Sequence, residues 1–437
     1  MQPLNLPMKL SRLHIALALL IGTLVPMSGA VAGSSKATAS FLLAQQSNSA
    51  ALQEAVRLIE QAFELYQQAR YDEAEPLFQQ ALQTSEQALG KTHPLVASSL
   101  TGLALIYHDQ GNYSAAEPLY RRALQIVEQG FGSTHPYMAT SLNNLAALYQ
   151  EQGNSEKALP LITRQLNIEE ANLIDALSVG SSSRKQMYAE TLRGSTFQIL
   201  SYTQYAPQST EFIHLALETI LRRKGRVLDV LVASNQQLRQ NLTDEDQILL
   251  EQLQSQQSSL DNLLFSPPEQ ANTEQYREKV DSLRQQIDEI ENILARRNTE
   301  FRLAVEPVTV EDVQAQIPQD AALIEIFQYT PLSLENGAWN PPRYVAYTLT
   351  AQGDRTPVDL GESAVIDEKV AELNRAIVQP HLHQQTRALT RELDAMLVEP
   401  IRAQIGDVEH LLISPDGQLN LLPFTALVDE NDRYLPD

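Results

Sequence analysis

The sequence contains no cysteine. That absence excludes disulfides, thiolate metal sites and a cysteine nucleophile from these 437 residues, and leaves the compartment open. Positive charge is scarce: 32 Lys and Arg face 54 Asp and Glu, for a net charge of −22. Such a chain repels nucleic acid and anionic membrane surfaces. Long apolar runs are scarce too. The run Leu13–Val25 falls short of the roughly 20 residues that span a bilayer. Lys9 and Arg12 precede it, and Ala30-Val31-Ala32 follows with small-x-small spacing, so 1–32 reads as a secretory signal cut after Ala32. The expectation is an exported chain, periplasmic or extracellular, free of the membrane once cleaved. Catalytic constellations are also missing. Ser414 lacks a glycine-flanked nucleophile elbow, and His381-x-His383 lacks a third ligand at convincing spacing. No metal or cofactor is expected.

What is present is a repeat. His93-Pro94 returns as His135-Pro136, 42 residues on, and Tyr71-Asp-Glu-Ala-Glu-Pro-Leu returns as Tyr113-Ser-Ala-Ala-Glu-Pro-Leu at the same interval. A third copy, Ser155-Glu-Lys-Ala-Leu-Pro-Leu, keeps the register, as do Pro76, Pro118 and Pro160. Proline after histidine opens a helix, because the first helical position loses no hydrogen bond to it. Leu100, Leu103, Ala104 and Tyr107 then form an apolar stripe, and Gly111-Asn112 stops the helix. Ala116, Leu119, Tyr120, Ala123 and Leu124 mark a second helix, with Pro118 expected near its first turn. The matching positions in copy three include Leu142, Leu145, Ala146, Tyr149 and Ala158, and in copy one Leu58, Ala62, Leu65, Ala74, Phe78 and Ala81.

Leu-x-x-Leu-Ala-x-x-Tyr, a turn, then Ala-x-x-x-aromatic-x-x-Ala resembles the tetratricopeptide (TPR) repeat, in the long-period form of kinesin light chains. The resemblance covers 51–178, three helix pairs, after a flexible lead-in over 33–50. It implies a helical-hairpin solenoid that binds a peptide or protein partner and carries no chemistry of its own. It also implies that first-helix residues line the groove: Ser98, Thr101, His108 and Asp109 in copy two, and Thr140, Asn143, Gln150 and Glu151 in copy three. Asn143 offers both a donor and an acceptor to a ligand backbone. No Lys or Arg stands among the eight, which argues against a clamp for a terminal carboxylate and for an internal segment.

Ser178–Ser183 breaks the pattern, and a helical connector follows over 184–303. Its helix from about Ser209 to Gln240 carries Arg222-Arg223-Lys224-Gly225-Arg226, the densest basic cluster, best read as pairing with acidic neighbours. Leu249, Leu253, Leu260 and Leu263, then Val280, Leu283, Ile287, Ile290 and Leu294, keep heptad-like steps around Ser266-Pro267-Pro268. An antiparallel coiled-coil hairpin is expected, serving as a spacer, a partner surface or an internal arm.

From 305 to 437 the pattern becomes α/β. Ala322–Tyr329 and Arg343–Thr350 read as a β-hairpin, about 363–378 and 385–404 as helices, and His410–Ser414 as a short buried strand. Pro415-Asp416-Gly417 is a turn. His410–Leu427, with its Ser-Pro-Asp-Gly and Leu-Pro-Phe runs, resembles the opening of a CHAT domain, a caspase-like family often fused to TPR repeats in bacteria, notably cyanobacteria. Peptidase members of that family use a histidine and a cysteine beyond this segment. The resemblance therefore implies an incomplete domain with no catalysis of its own in these residues. The expectation is mainly α: a TPR scaffold, a helical connector and a partial α/β caspase-like domain. The alternative is a fragment of a cysteine peptidase. Nothing in the sequence speaks to oligomeric state.

Overall fold

In the computed structural model, His93 Nδ1 accepts the backbone N–H of Leu95 at 3.2 Å, and His135 Nδ1 accepts that of Tyr137 at 3.3 Å. Each histidine caps a helix that begins at the following proline. The structure describes residues 35–178, 191–224, 243–265, 273–297, 308–333, 338–354, 357–379, 381, 383–406, 408–429 and 433–434. The expected signal segment, the break at 179–183, residues 225–240 of the expected connector helix and the Ser-Pro-Pro break lie outside them.

Six helices form three consecutive hairpins: α1 Ser35–Gln67 with α2 Tyr71–Leu89, α3 Pro94–Asp109 with α4 Tyr113–Phe131, and α5 Pro136–Glu151 with α6 Ser155–Ser178. The segment expected as a flexible lead-in is thus helical from Ser35. Gly111 and Gly153 end α3 and α5 at φ +75° and +70°, and the asparagines after them cap α4 and α6 by accepting from the N–H of Ala115 and Lys157. Copy one lacks both devices. Ala69 takes the left-handed turn at φ +56°, and the Arg70 side chain caps nothing. Pro76, Pro118 and Pro160 sit at the sixth helical position, one turn deeper than expected. The predicted small and apolar positions fill the interior: Ala62, Ala74, Phe78, Leu100, Ala104, Ala116, Leu142 and Ala158 are all buried. Gly102 is obligatory, since a Cβ there would stand 2.3 Å from the Phe78 ring.

The described parts of 1–169, 197–215 and 319–437 form one compact unit, and those of 170–196 and 216–318 another. Helices α7 Arg193–Tyr205 and α8 Thr210–Arg223 contribute to both. In the second unit, α9 Asp244–Phe265 and α10 Thr273–Arg297 pack on each other, with Val280, Ile287 and Leu294 buried. Seven residues reach about 25 Å, too little to join two parallel helices of about 33 Å, so the pair is antiparallel. Of the basic cluster, expected to pair with acidic neighbours, Arg222 does so and Arg223 instead binds neutral oxygens. Arg222 pairs with Glu218 at 2.6 Å and donates to the Val308 carbonyl, and Arg223 donates to Leu192 O, Ser195 Oγ and Thr196 Oγ1.

The second unit also holds a short helix, α11 (Val310–Gln314), and the first unit resumes with a mixed sheet of β1 Ala321–Tyr329, β2 Arg343–Thr350, β3 Gly353–Asp354, β4 Val358–Glu362 and β5 His410–Ser414. The order is β3-β2-β1-β5, with β4 also on β2; β1 and β2 are antiparallel, β1 and β5 parallel. One face packs on α12 Ser363–Ile377, α13 His383–Leu397 and α14 Glu399–Ile405 through Ile324, Ile326, Ala346, Val370 and Leu393. The single helix expected over 385–404 is two, because Pro400 has no N–H to continue α13 and instead starts α14. The other face meets α7: Tyr347 Oη lies 3.1 Å from Thr203 Oγ1, Tyr329 Oη accepts from Gln204, and the Phe197 ring meets Phe327 and Tyr329 edge-on. Strand β5 is not buried as expected. It is an edge strand with Leu412 46 % exposed, because only its inward residues, Leu411 and Ile413, reach the core. Asp416 ties the Pro-Asp-Gly turn back to β1, accepting the N–H of Gln328 at 2.9 Å and of Gly417 at 2.8 Å.

Candidate functional site

The seams between repeat copies are built from polar pairs that recur at 42 residues. Tyr107 donates to Glu75 Oε1 at 2.6 Å, and Tyr149 donates to Glu117 Oε1 at 2.7 Å. Arg122 pairs with Glu86, and Arg164 with Glu128. Tyr66 and Tyr71 both donate to Asp109 Oδ2 at 2.9 Å; one period on, His108, Tyr113 and Glu151 hold those positions. There His108 Nε2 lies 2.7 Å from Glu151 Oε2 and donates to it, which leaves Nδ1 to accept from the Tyr120 hydroxyl at 3.3 Å.

The seam bonds shift the groups that make them. Glu117 is held below the usual carboxylate range, chiefly by the Tyr149 hydroxyl and then by Arg121. Burial, followed by the bond to Glu117, pushes Tyr149 up. Beside this seam lies a cleft of about 430 Å³ floored by Leu145, Tyr149 and Leu161, with Lys157 and Arg121 over the Tyr149 ring at 5.2 and 5.9 Å.

The eight residues assigned to the groove divide accordingly. His108, Asp109 and Glu151 serve the seams. Ser98 is fully buried and donates to the Pro94 carbonyl. Thr101, Thr140 and Asn143 are half-buried on the first helices. Gln150 stands one period after His108 but makes no seam bond of that kind. Its Oε1 accepts from Ser155 at 3.4 Å, while its Nε2 has no acceptor among the described residues. Asn143 Oδ1 likewise has no donor among the described residues. A buried amide atom left unpaired costs about 1–3 kcal/mol. Asn143 and Gln150 share one helical face, being seven residues apart. They therefore present an acceptor and a donor about 10 Å apart along α5.

Ala147 lies between them on that face, and sequence reasoning passed over it. Its small side chain is 2 % exposed and packs on Leu332 and Trp339 from the connection between β1 and β2. Its placement at i+4 from Asn143 was the available signal.

Comparison with known families matches 65–129 and 99–170 to the tetratricopeptide repeat, and 387–437 to the CHAT domain. The first match falls on the helical hairpins; the second runs from α13 through β5 and the Pro-Asp-Gly turn. No match was found among curated proteins.

Proposed function

We propose that this protein is an exported interaction scaffold whose repeat array captures an extended internal segment of a partner protein. The observation that carries the reading is the unpaired pair on α5, Asn143 Oδ1 and Gln150 Nε2. A span of about 10 Å matches three residues of extended chain, whose N–H and C=O groups complement the two amides. The likeness to TPR repeats supports it, since such repeats generally mediate protein–protein contacts. Export rests on the basic start, the apolar run and Ala30-Val31-Ala32. N-terminal sequencing of native protein should find Gly33 first; an intact Met1 contradicts export.

The test of capture is an array of synthetic 15-residue peptides probed with the full chain and with Asn143→Ala. Spots bound by the wild type should fade with the variant. An unchanged pattern removes the groove from the account.

These residues carry no peptidase chemistry in this reading, because a cysteine peptidase needs a thiolate beside a base and the sequence holds no thiol. Purified chain should cleave no member of a peptide library; cleavage that resists serine- and metal-directed inhibitors contradicts this. A second reading, part of a caspase-like peptidase, rests on the CHAT match alone. Coding DNA past Asp437 with an in-frame histidine and cysteine favours it, and a stop codon removes it.

A further inference from the structure

Leu332 is 1 % exposed, although it lies outside the strands. The chain around it continues the β1–β2 ladder: Leu332 bridges to Trp339, Asn340 N donates to Pro331 O at 2.8 Å, and Ser333 N donates to Ala338 O at 2.8 Å. Helix α7 holds one flank. Ser201 Oγ accepts the Leu332 N–H at 2.8 Å, and Phe197 meets Trp339 edge-on at 6.4 Å. The other flank meets the repeat array, where Leu332 and Trp339 pack on Ala147 of α5.

Ala147 stands at the middle of the face that Asn143 and Gln150 share. An apolar side chain of the same chain therefore occupies the centre of the groove, while Asn143 Oδ1, four residues before it, and Gln150 Nε2, three residues after it, have no partner among the described residues. The leucine side chain has neither donor nor acceptor to offer them, and the Leu332 N–H and carbonyl are engaged by Ser201 and Tyr205. The contact fills the groove's shape and leaves its hydrogen-bonding capacity unused.

We propose that Leu332 and Trp339, bridged to each other between β1 and β2, are a built-in occupant of the copy-three groove. An outside ligand displaces it by supplying an apolar side chain at Ala147 together with backbone groups for Asn143 and Gln150. The partner class is thus an extended segment with one apolar residue at its centre. This rests on the groove reading above. The bound and self-occupied states compete, and a ligand that pairs both amides binds the open state better, which is what shifts the population. Apparent affinity is lower than intrinsic affinity by the fraction of chains with the groove open.

The sequence suits the test, since Trp339 is its only tryptophan and it has no cysteine. Two measurements on the full chain read docking without any ligand. Ala147→Cys with Leu332→Cys should give one intramolecular link with a short bis-maleimide, seen by mass. Ala147→Glu, which sets a carboxylate against Leu332, should move Trp339 emission to longer wavelength while the far-ultraviolet dichroism keeps its helical form. A third measurement reads competition. The linked chain should bind the array peptides at least about tenfold more weakly than the same variant left unlinked, and Leu332→Ser should bind them more tightly than wild type. Absence of the link, or unchanged Trp339 emission, overturns the docking. A link that leaves peptide binding unchanged overturns the competition. If the docking measurements succeed and wild type and Leu332→Ser alike bind no peptide, the groove reading itself has failed, and the proposed competition with it.

Discussion

The Tyr149 hydroxyl donates to Glu117 Oε1 at 2.7 Å, repeating 42 residues later the bond that Tyr107 makes to Glu75. Each bond crosses from the second helix of one copy to the first helix of the next, so the seam is periodic in its polar groups as well as its apolar ones. Tyr149→Phe should cost about 1.5 kcal/mol, the scale of a hydrogen bond to a charged group. It also alters the acid response. The folded-state value of Glu117 is depressed below its ordinary 4.5, so its contribution is complete above 4.5 and is lost as pH falls through the lower folded value. Urea midpoints between pH 3 and 7 should fall less steeply on the acid side in Tyr149→Phe than in wild type.

The two histidine caps predict a second pH effect, nearer neutrality. Burial lowers His93 and His135 from 6.5, and each Nδ1 accepts a backbone N–H, which only the neutral ring can do. The folded state then binds fewer protons than the unfolded one, so the cap contribution is complete above 6.5 and lost as pH falls through the lower folded values. His93→Asn with His135→Asn keeps an acceptor at each cap without a titrating group. Its thermal midpoint should drop less than that of wild type between pH 7 and 5.

Copy one is open to repair by its neighbours' residues. Ala69 occupies the left-handed turn that Gly111 and Gly153 fill in copies two and three. A left-handed alanine costs roughly 1 kcal/mol, so Ala69→Gly should raise the unfolding free energy by up to that amount. Arg70→Asn supplies the missing cap, worth about 1 kcal/mol. It gives up the pair with Glu73, whose partners are both about half exposed and which therefore adds little. Denaturant titrations of the single and double variants measure both.

Much of this fold is legible in the sequence because its devices repeat. His-Pro, Gly-Asn and the small residues of the helix contacts recur in register, and each does in the structure what its chemistry prescribes. The β1–β2 hairpin is legible from alternation and β-branched residues and agrees to within one residue. The sheet's second cover is not. Thr203 meets Tyr347 across 144 residues of chain, and no local pattern encodes that pairing. The groove is half legible. Asn143 and Gln150 carry amides that periodicity alone places on one face, whereas His108, Asp109 and Glu151 read as open until their seam partners are placed in space. The seam partners were themselves within reach, since Glu75, Glu117, Tyr107 and Tyr149 keep the 42-residue interval. Ala147 reads as packing, and only the position of Leu332 shows what packs there.

The central claim, that α5 holds an extended peptide through Asn143 Oδ1 and Gln150 Nε2, is tested most directly by dissociation constants. One array peptide should be titrated into the full chain, Asn143→Ala, Gln150→Ala and the double variant. Each single substitution should weaken binding about tenfold, corresponding to about 1.4 kcal/mol per lost hydrogen bond. Constants within about twofold of wild type in all three variants would contradict the claim.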